Sequence, residues 1–167
     1  MRKYAINGRI FEFPITGVGR FCVEVIKQLD VMFENGQCVL LVSNKARNIP
    51  KLRNIKTITV GNKVGIVWEQ IELPLYLYKN RLVGINMSNS APILKTDYIV
   101  IHDIQLKVLI NEMNGINEKI RALWPLLNYK IHLKKAKHVF TVSEFQRKEI
   151  CSHYHIDEKK ITVAFFA

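Results

Sequence analysis

A chain of 167 residues, 49% hydrophobic and 23% charged, has the balance of a folded globular protein and not of a disordered or fibrous one. At this length roughly two-thirds of the unfolded surface can be buried, so neither a disulfide framework nor a structural metal is needed. Three cysteines, Cys22, Cys38 and Cys151, without any C-x-x-C pair, suit a reducing cytosol. Lys and Arg number 25 against 14 Asp and Glu, a net charge of +11 that favours anionic partners: nucleic acid, anionic lipid or phosphorylated small molecules. No apolar run reaches the roughly 18 residues of a membrane-spanning helix. Met1-Arg2-Lys3 leads into strand-like Tyr4-Ala5-Ile6 instead of an apolar signal segment, so the chain is expected to be neither exported nor threaded through a bilayer.

Along the chain, short apolar runs alternate with longer helical patterns. Tyr4 to Ile10 reads as a first strand, and Thr16 is positioned to cap a helix whose apolar positions Val18, Phe21, Cys22, Val25, Leu29, Met32 and Phe33 keep the helical period up to Gly36. Cys38 to Val42 and Ile55 to Val60 read as strands. Val67 to Tyr78 reads as a helix that Pro74 should kink or restart. Leu82 to Met87 forms a fourth strand, and the loop Ser88-Asn89-Ser90-Ala91-Pro92 precedes a fifth, Tyr98 to Ile101, which stops at His102-Asp103. A helix from about Glu118 to Lys135, a strand His138 to Val142, a helix Glu144 to Tyr154 and a closing strand Ile161 to Val163 complete the pattern. The alternation predicts an α/β fold: an open, mainly parallel sheet with helices on both faces, joined by right-handed crossovers. No repeat, linker or low-complexity tract interrupts residues 1–167, so a single domain is expected.

In such sheets ligands bind beyond the carboxyl ends of the strands. The residues there are Thr16-Gly17-Val18-Gly19-Arg20, then Asn89 and Ser90, then His102 and Asp103, then Ser143 and Glu144. The glycine loop is not a dinucleotide fingerprint, because Cys22 stands where the third glycine belongs, and no Gly-Lys-Ser or Gly-Lys-Thr marks a Walker loop. It reads either as a tight turn or as a place where backbone approaches a ligand at a helix N-terminus. Two ionisable residues ending a buried strand are costly unless they reach a crevice or find partners. His102 therefore reads either as a hydrogen-bonding or general-base group, or as a side chain packed beside a capping Asp103. His132, His138, His153 and His155 show no metal-ligand spacing, and no metal is expected.

Taken in order, Ile6-Asn7-Gly8-Arg9, Ile15-Thr16-Gly17-Val18-Gly19-Arg20-Phe21, Trp68-Glu69-Gln70 with Leu73-Pro74, Asn89-Ser90-Ala91-Pro92, Val100-Ile101-His102-Asp103-Ile104 and Thr141-Val142-Ser143-Glu144-Phe145 resemble the N-terminal half of glycosyltransferase family 4. The resemblance spans nearly the whole chain. Gly19 departs from it, standing where relatives usually carry glutamine, and so does Ala164-Phe165-Phe166-Ala167, where a Pro/Tyr-Asn-Gly turn belongs.

The resemblance implies the Rossmann-like, acceptor-side half of a two-domain GT-B enzyme. Such an enzyme moves a hexosyl group from a nucleotide-sugar donor to a glycan or lipid-linked acceptor with retention of configuration and without a bound metal. It implies that the donor sits on a C-terminal domain or subunit outside this sequence, so that no cofactor is bound by this chain alone. Gly17, Gly19 and Arg20 would shape the cleft near the donor phosphates. His102 would lie near the transferred sugar, while Asn89, Ser90, Asp103, Ser143 and Glu144 would line the acceptor side. It implies a cytoplasmic enzyme working at the inner face of the membrane.

The segment Lys107 to Lys137 carries seven basic residues, Lys107, Lys119, Arg121, Lys130, Lys134, Lys135 and Lys137, against Glu112 and Glu118. If Leu123, Leu126, Leu127 and Ile131 share a helix with these cations, the stripe can face the core or a bilayer boundary while the lysines meet anionic headgroups. The rival reading is a non-catalytic basic module for anionic lipid or nucleic acid. Only Trp124 and Tyr129 interleave the basic residues, which is thin support for nucleic acid.

Overall fold

The computed structural model describes residues 3–105 and 116–164; for residues 116–122, 124 and 125 it describes the helical backbone only. Strands β1 (Tyr4–Asn7), β2 (Cys38–Val42), β3 (Lys56–Thr59), β4 (Val83–Asn86), β5 (Tyr98–Ile101), β6 (His138–Thr141) and β7 (Ile161–Val163) form one seven-stranded sheet in the order β3-β2-β1-β4-β5-β6-β7. Every pairing is parallel. This is a Rossmann-like α/β sheet, with its topological switch point between β1 and β4.

The alternation of side chains along β1 decides the layers. Ile6 joins Leu40, Val42 and Val100 against Cys22 and Ile26 of helix α1 (Gly17–Met32), on one face. Ala5 and Leu41 point the other way, against Trp68, Leu73 and Leu77 of helix α2, whose segments Gly65–Val67, Trp68–Glu72 and Leu73–Lys79 run on without a break. Further along that second face, Ile99, Ile101 and Val139 pack against Tyr129 and Leu133 of helix α3 (Ile116–Lys135) and Ile150 of helix α4 (Glu144–Tyr154). α1 thus lies on one face and α2, α3 and α4 on the other. Beside α1, an apolar groove of about 330 Å³ runs over β4, β5 and β6, lined among others by Phe21, Val25, Ile85, Met87, Val100 and Phe140.

Two differences from the expected elements have local causes. The first strand ends at Asn7, three residues early, because the Asn7 Oδ1 accepts from the Arg9 amide at 3.1 Å and turns the chain into a 3-10 turn, Arg9–Glu12. Gly8 fits there only without a side chain, since a Cβ would lie 2.6 Å from the Leu41 carbonyl oxygen. In α2 the Pro74 disturbance takes the form of a π-turn over Trp68–Glu72, just ahead of the residue that cannot donate to the preceding turn. Helix α1 stops at Met32, capped by Phe33, short of Gly36, which falls in the turn before β2; the other elements agree with the sequence reading to within one or two residues.

Buried Asp97 ties the amino ends of three strands together. Its carboxylate accepts from the Gly84 amide at 2.9 Å and pairs with Lys95 and Lys137, while its main-chain oxygen accepts from the Lys137 amide. Asp97→Ala is expected to cost about 2 kcal/mol of stability, chiefly through the buried Gly84 N–H left without an acceptor, because the lysines can turn to water. Urea unfolding measures it. A loss under about 0.5 kcal/mol would show that water replaces the carboxylate.

Candidate functional site

The switch point is built from two strand ends and one helix turn. Asn7 and Asn86 are polar residues closing otherwise apolar strands, and the Asn7 Nδ2 donates both to Asn86 Oδ1 at 3.0 Å and to Glu69 Oε1 at 2.9 Å. Glu69, only 1% exposed, sits on the π-turn of α2. It also accepts from Arg9 Nη1 at 2.7 Å and from the Ser90 hydroxyl at 2.8 Å. Its neighbours hold other parts: the Trp68 Nε1 donates to the Val60 carbonyl, and Gln70 bridges the Ala91 carbonyl and the Ile93 amide. The triplet Trp68-Glu69-Gln70 therefore fixes three separate pieces of chain around one turn.

Above this polar cluster opens a cavity of about 270 Å³, lined by Arg9, Ile66, Asn89, Ser90, Asn128 and Tyr129 together with Ser88. Arg9 Nε and Asn128 Oδ1 are buried without a hydrogen-bond partner among the described residues. Burial pushes the Tyr129 phenol up to about 12, with Asp103 adding to the effect, so it stays a neutral donor.

His102 lies at the next strand end. Its amide donates to Asn89 Oδ1 at 2.6 Å, and Asn89 itself takes a left-handed backbone, φ 59°. The ring Nε2 lies 2.7 Å from the Met87 carbonyl, so Nε2 carries the hydrogen and Nδ1 keeps its lone pair. Burial lowers the His102 pKa, against the opposing pull of the Met87 carbonyl and Asp103, so the ring is neutral at neutral pH. The Phe21 ring of α1 stands edge-on to it at 4.5 Å between centroids, and the Cys22 thiol donates to the same Met87 carbonyl.

That contact brings the glycine-rich turn alongside the histidine. Gly17, Val18 and Gly19 are the first turn of α1, and the Thr16 side chain at the cap position makes no capping hydrogen bond. The first-turn amides are thus unclaimed by it, and a Cβ on Gly17 would meet nothing within 4 Å, which leaves open space at a helix N-terminus.

The structure gathers His102, Asn89, Ser90, Gly17 and Gly19 along the carboxyl edge of β1, β4 and β5. Asp103 accepts from the Gln105 amide in a local turn at 3.2 Å. Ser143 caps α4 by accepting from the Gln146 amide, and Glu144 pairs with Arg147 in the same helix turn. Arg20 is exposed and lines a separate shallow pocket with Ile15, Val23 and Glu24. A scan against protein-family models and a search of curated proteins found no match to this chain.

Asn7, Arg9, Glu69, Asn86, Asn128 and Tyr129 complete the site and were not singled out as site residues by sequence reasoning. The signal available was the lone polar residue ending each of two buried strands; the pairings span 62 and 79 residues. Among the described residues no group of three or more His, Cys, Asp or Glu is placed to hold a metal, and no helix is long and apolar enough to cross a membrane. Of the basic segment, Lys107 and Glu112 lie outside the described residues, as do Phe165, Phe166 and Ala167. Glu118, Lys119, Arg121 and Trp124 are known only as helical backbone of α3. On the same helix Leu126 and Ile131 are half-buried, while Leu123, Leu127, Lys130, Lys134 and Lys135 are exposed.

Proposed function

We propose that the chain is the acceptor-side half of a retaining glycosyltransferase of the family 4 type, working with a C-terminal donor-binding domain or subunit. The donor is a nucleotide sugar and the acceptor a glycan or lipid-linked sugar. The observation that carries the reading is the placement of neutral His102, by way of Phe21, against a helix N-terminus whose first-turn amides its cap leaves unclaimed. Such a terminus suits the phosphates of a departing nucleotide. With Nε2–H held by the Met87 carbonyl, the His102 Nδ1 accepts a hydrogen bond from a sugar hydroxyl. The polar cavity over Glu69, lined by Asn128, Tyr129 and an Arg9 Nε unpartnered among the described residues, suits an acceptor's hydroxyl groups. The exposed basic and apolar side chains of α3 suit an anionic membrane surface, which would place the enzyme at the cytoplasmic face of a membrane.

Two outcomes test the reading. The purified chain alone should transfer no sugar, because a site formed between two domains loses most of its transition-state contacts when one is missing. With the donor-binding half supplied, His102→Ala should lower kcat by roughly a hundredfold with the fold intact by circular dichroism. Ordinary turnover by the chain alone would overturn the half-enzyme reading, and unchanged kinetics in the variant would leave His102 a packing residue.

A further inference from the structure

At the opposite end of α3 from the sheet's carboxyl edge, a cleft of about 360 Å³ is lined by Lys130, Lys134, His153, Tyr154 and His155. Every one of these side chains can donate a hydrogen bond, and none is a carboxylate. Lys130 and Lys134 stand one turn apart on α3, and neither has a carboxylate within ion-pair reach among the described residues. A third lysine, Lys160, comes up beside them, its Nζ donating to the Lys134 carbonyl at 2.6 Å. Of the carboxylates nearby, Glu149 lies 3.5 Å from His153 on the same helix, while Asp157 accepts from the Lys159 amide and Glu158 faces Arg147.

The backbone supplies a second, independent observation. His155 follows the last residue of α4 with φ 53° and ψ 50°, the left-handed conformation in which glycine is relaxed and a side chain is strained. A histidine held there puts an imidazole on the cleft wall where glycine would serve the helix end better. Lysines near helix C-termini also offset the helix dipole, but each helix end carries only about half a negative charge. Lys130 and Lys134 line the cleft itself and no carboxylate among the described residues does, so its wall presents positive charge.

We infer that this cleft is a binding site for a phosphate monoester, held by Lys130 and Lys134 on one wall and by His153 and His155 on the other. A compact anion with about two negative charges and three acceptor oxygens matches donors converging from two elements. The phosphate is either soluble or the headgroup of an acidic lipid. The site is distinct from the crevice around His102, and the inference stands whether or not the chain takes part in sugar transfer.

The test is a nuclear magnetic resonance titration of the whole chain with inorganic phosphate, ionic strength held constant with chloride. Saturable shifts confined to Lys130, Lys134, His153, Tyr154 and His155 are expected. Lys130→Gln with Lys134→Gln should weaken binding by about tenfold or more. His155→Gly should weaken it too while holding or raising thermal stability, which separates binding from folding. Sedimentation with phosphatidylcholine vesicles, with and without phosphatidic acid, identifies the source. Capture by phosphatidic acid that free phosphate reverses assigns a lipid headgroup; saturation by free phosphate without capture assigns a soluble ligand. Shifts that track ionic strength alone, or that persist unchanged in the variants, would overturn the site.

Discussion

Glu69→Ala is expected to lower the unfolding free energy by about 3–5 kcal/mol, the range for breaking one side of a buried ion pair. Three donors converge on this carboxylate: Arg9 at 2.7 Å, Ser90 at 2.8 Å and Asn7 at 2.9 Å. Removing it leaves a guanidinium whose side chain is 17% exposed without a counter-charge, and leaves the buried Asn7 amide with one acceptor fewer. Glu69→Gln should cost less, since it keeps the shape and one acceptor oxygen. Arg9→Met combined with Glu69→Gln should recover part of the Arg9→Met loss, because the two effects are coupled through one contact. Urea unfolding of the four proteins at neutral pH gives the cycle. A loss below about 1 kcal/mol for Glu69→Ala would mean that water enters the cavity and takes over the carboxylate's partners.

The second large effect is acid instability centred on His132. This residue is fully buried in α3, and its Nδ1 lies 3.0 Å from the Thr96 hydroxyl, which donates its own hydrogen to the Pro92 carbonyl at 2.7 Å. Nδ1 must therefore carry a hydrogen, and Nε2 is left as a bare lone pair with no partner among the described residues. Burial, with the charge of Lys135 adding to it, drops the pKa from 6.5 to about 4. The unfolded chain binds this proton below about pH 6.5 and the folded chain does not, so stability is complete above that value and is lost as pH falls toward 4. At 1.36 kcal/mol per unit the loss is about 3 kcal/mol across the window, with carboxylates such as Asp97 adding theirs only at lower pH. His132→Leu should flatten the limb between pH 6.5 and 4.5 in denaturant midpoints, leaving a smaller residue from His102, whose pKa is lowered in the same direction. An unaltered limb would show that the acid response arises elsewhere.

The sheet was legible because its strands announce themselves. Cys38–Val42 and Tyr98–Ile101 are continuous apolar runs, as strands buried on both faces must be, and the Ser143 cap marks a helix boundary by local chemistry. The site was legible only where local signals reach. His102 and the glycine turn stand out by type and position, but nothing near residue 7 in sequence says that Asn7 will bond Glu69 and Asn86. Arg9 and Glu69 each pass for ordinary surface charges until the fold buries them together. The π-turn escaped for a similar reason: Pro74 warns of a disturbance, and only the packing of Trp68 and Glu69 decides its form.

The central place of β1 also governs the order of assembly. β1 pairs with β2 on one side and with β4 on the other, and the Asn7–Asn86 bond across the switch point closes a loop 79 residues long. Loop closure on that scale costs entropy before any contact rewards it, so pairing of β1 with β4 is expected to follow that of β1 with β2. A chain emerging from the ribosome can pair β1 with β2 early and hold that unit through Ile6, Leu40 and α1. Asn7, Arg9 and their buried cluster stay incomplete until residues beyond Ser90 are free to fold. The crevice therefore depends on the most distant pairing in the β1–β4 core, and until that pairing forms β1 keeps one edge open to chaperones or to neighbouring chains.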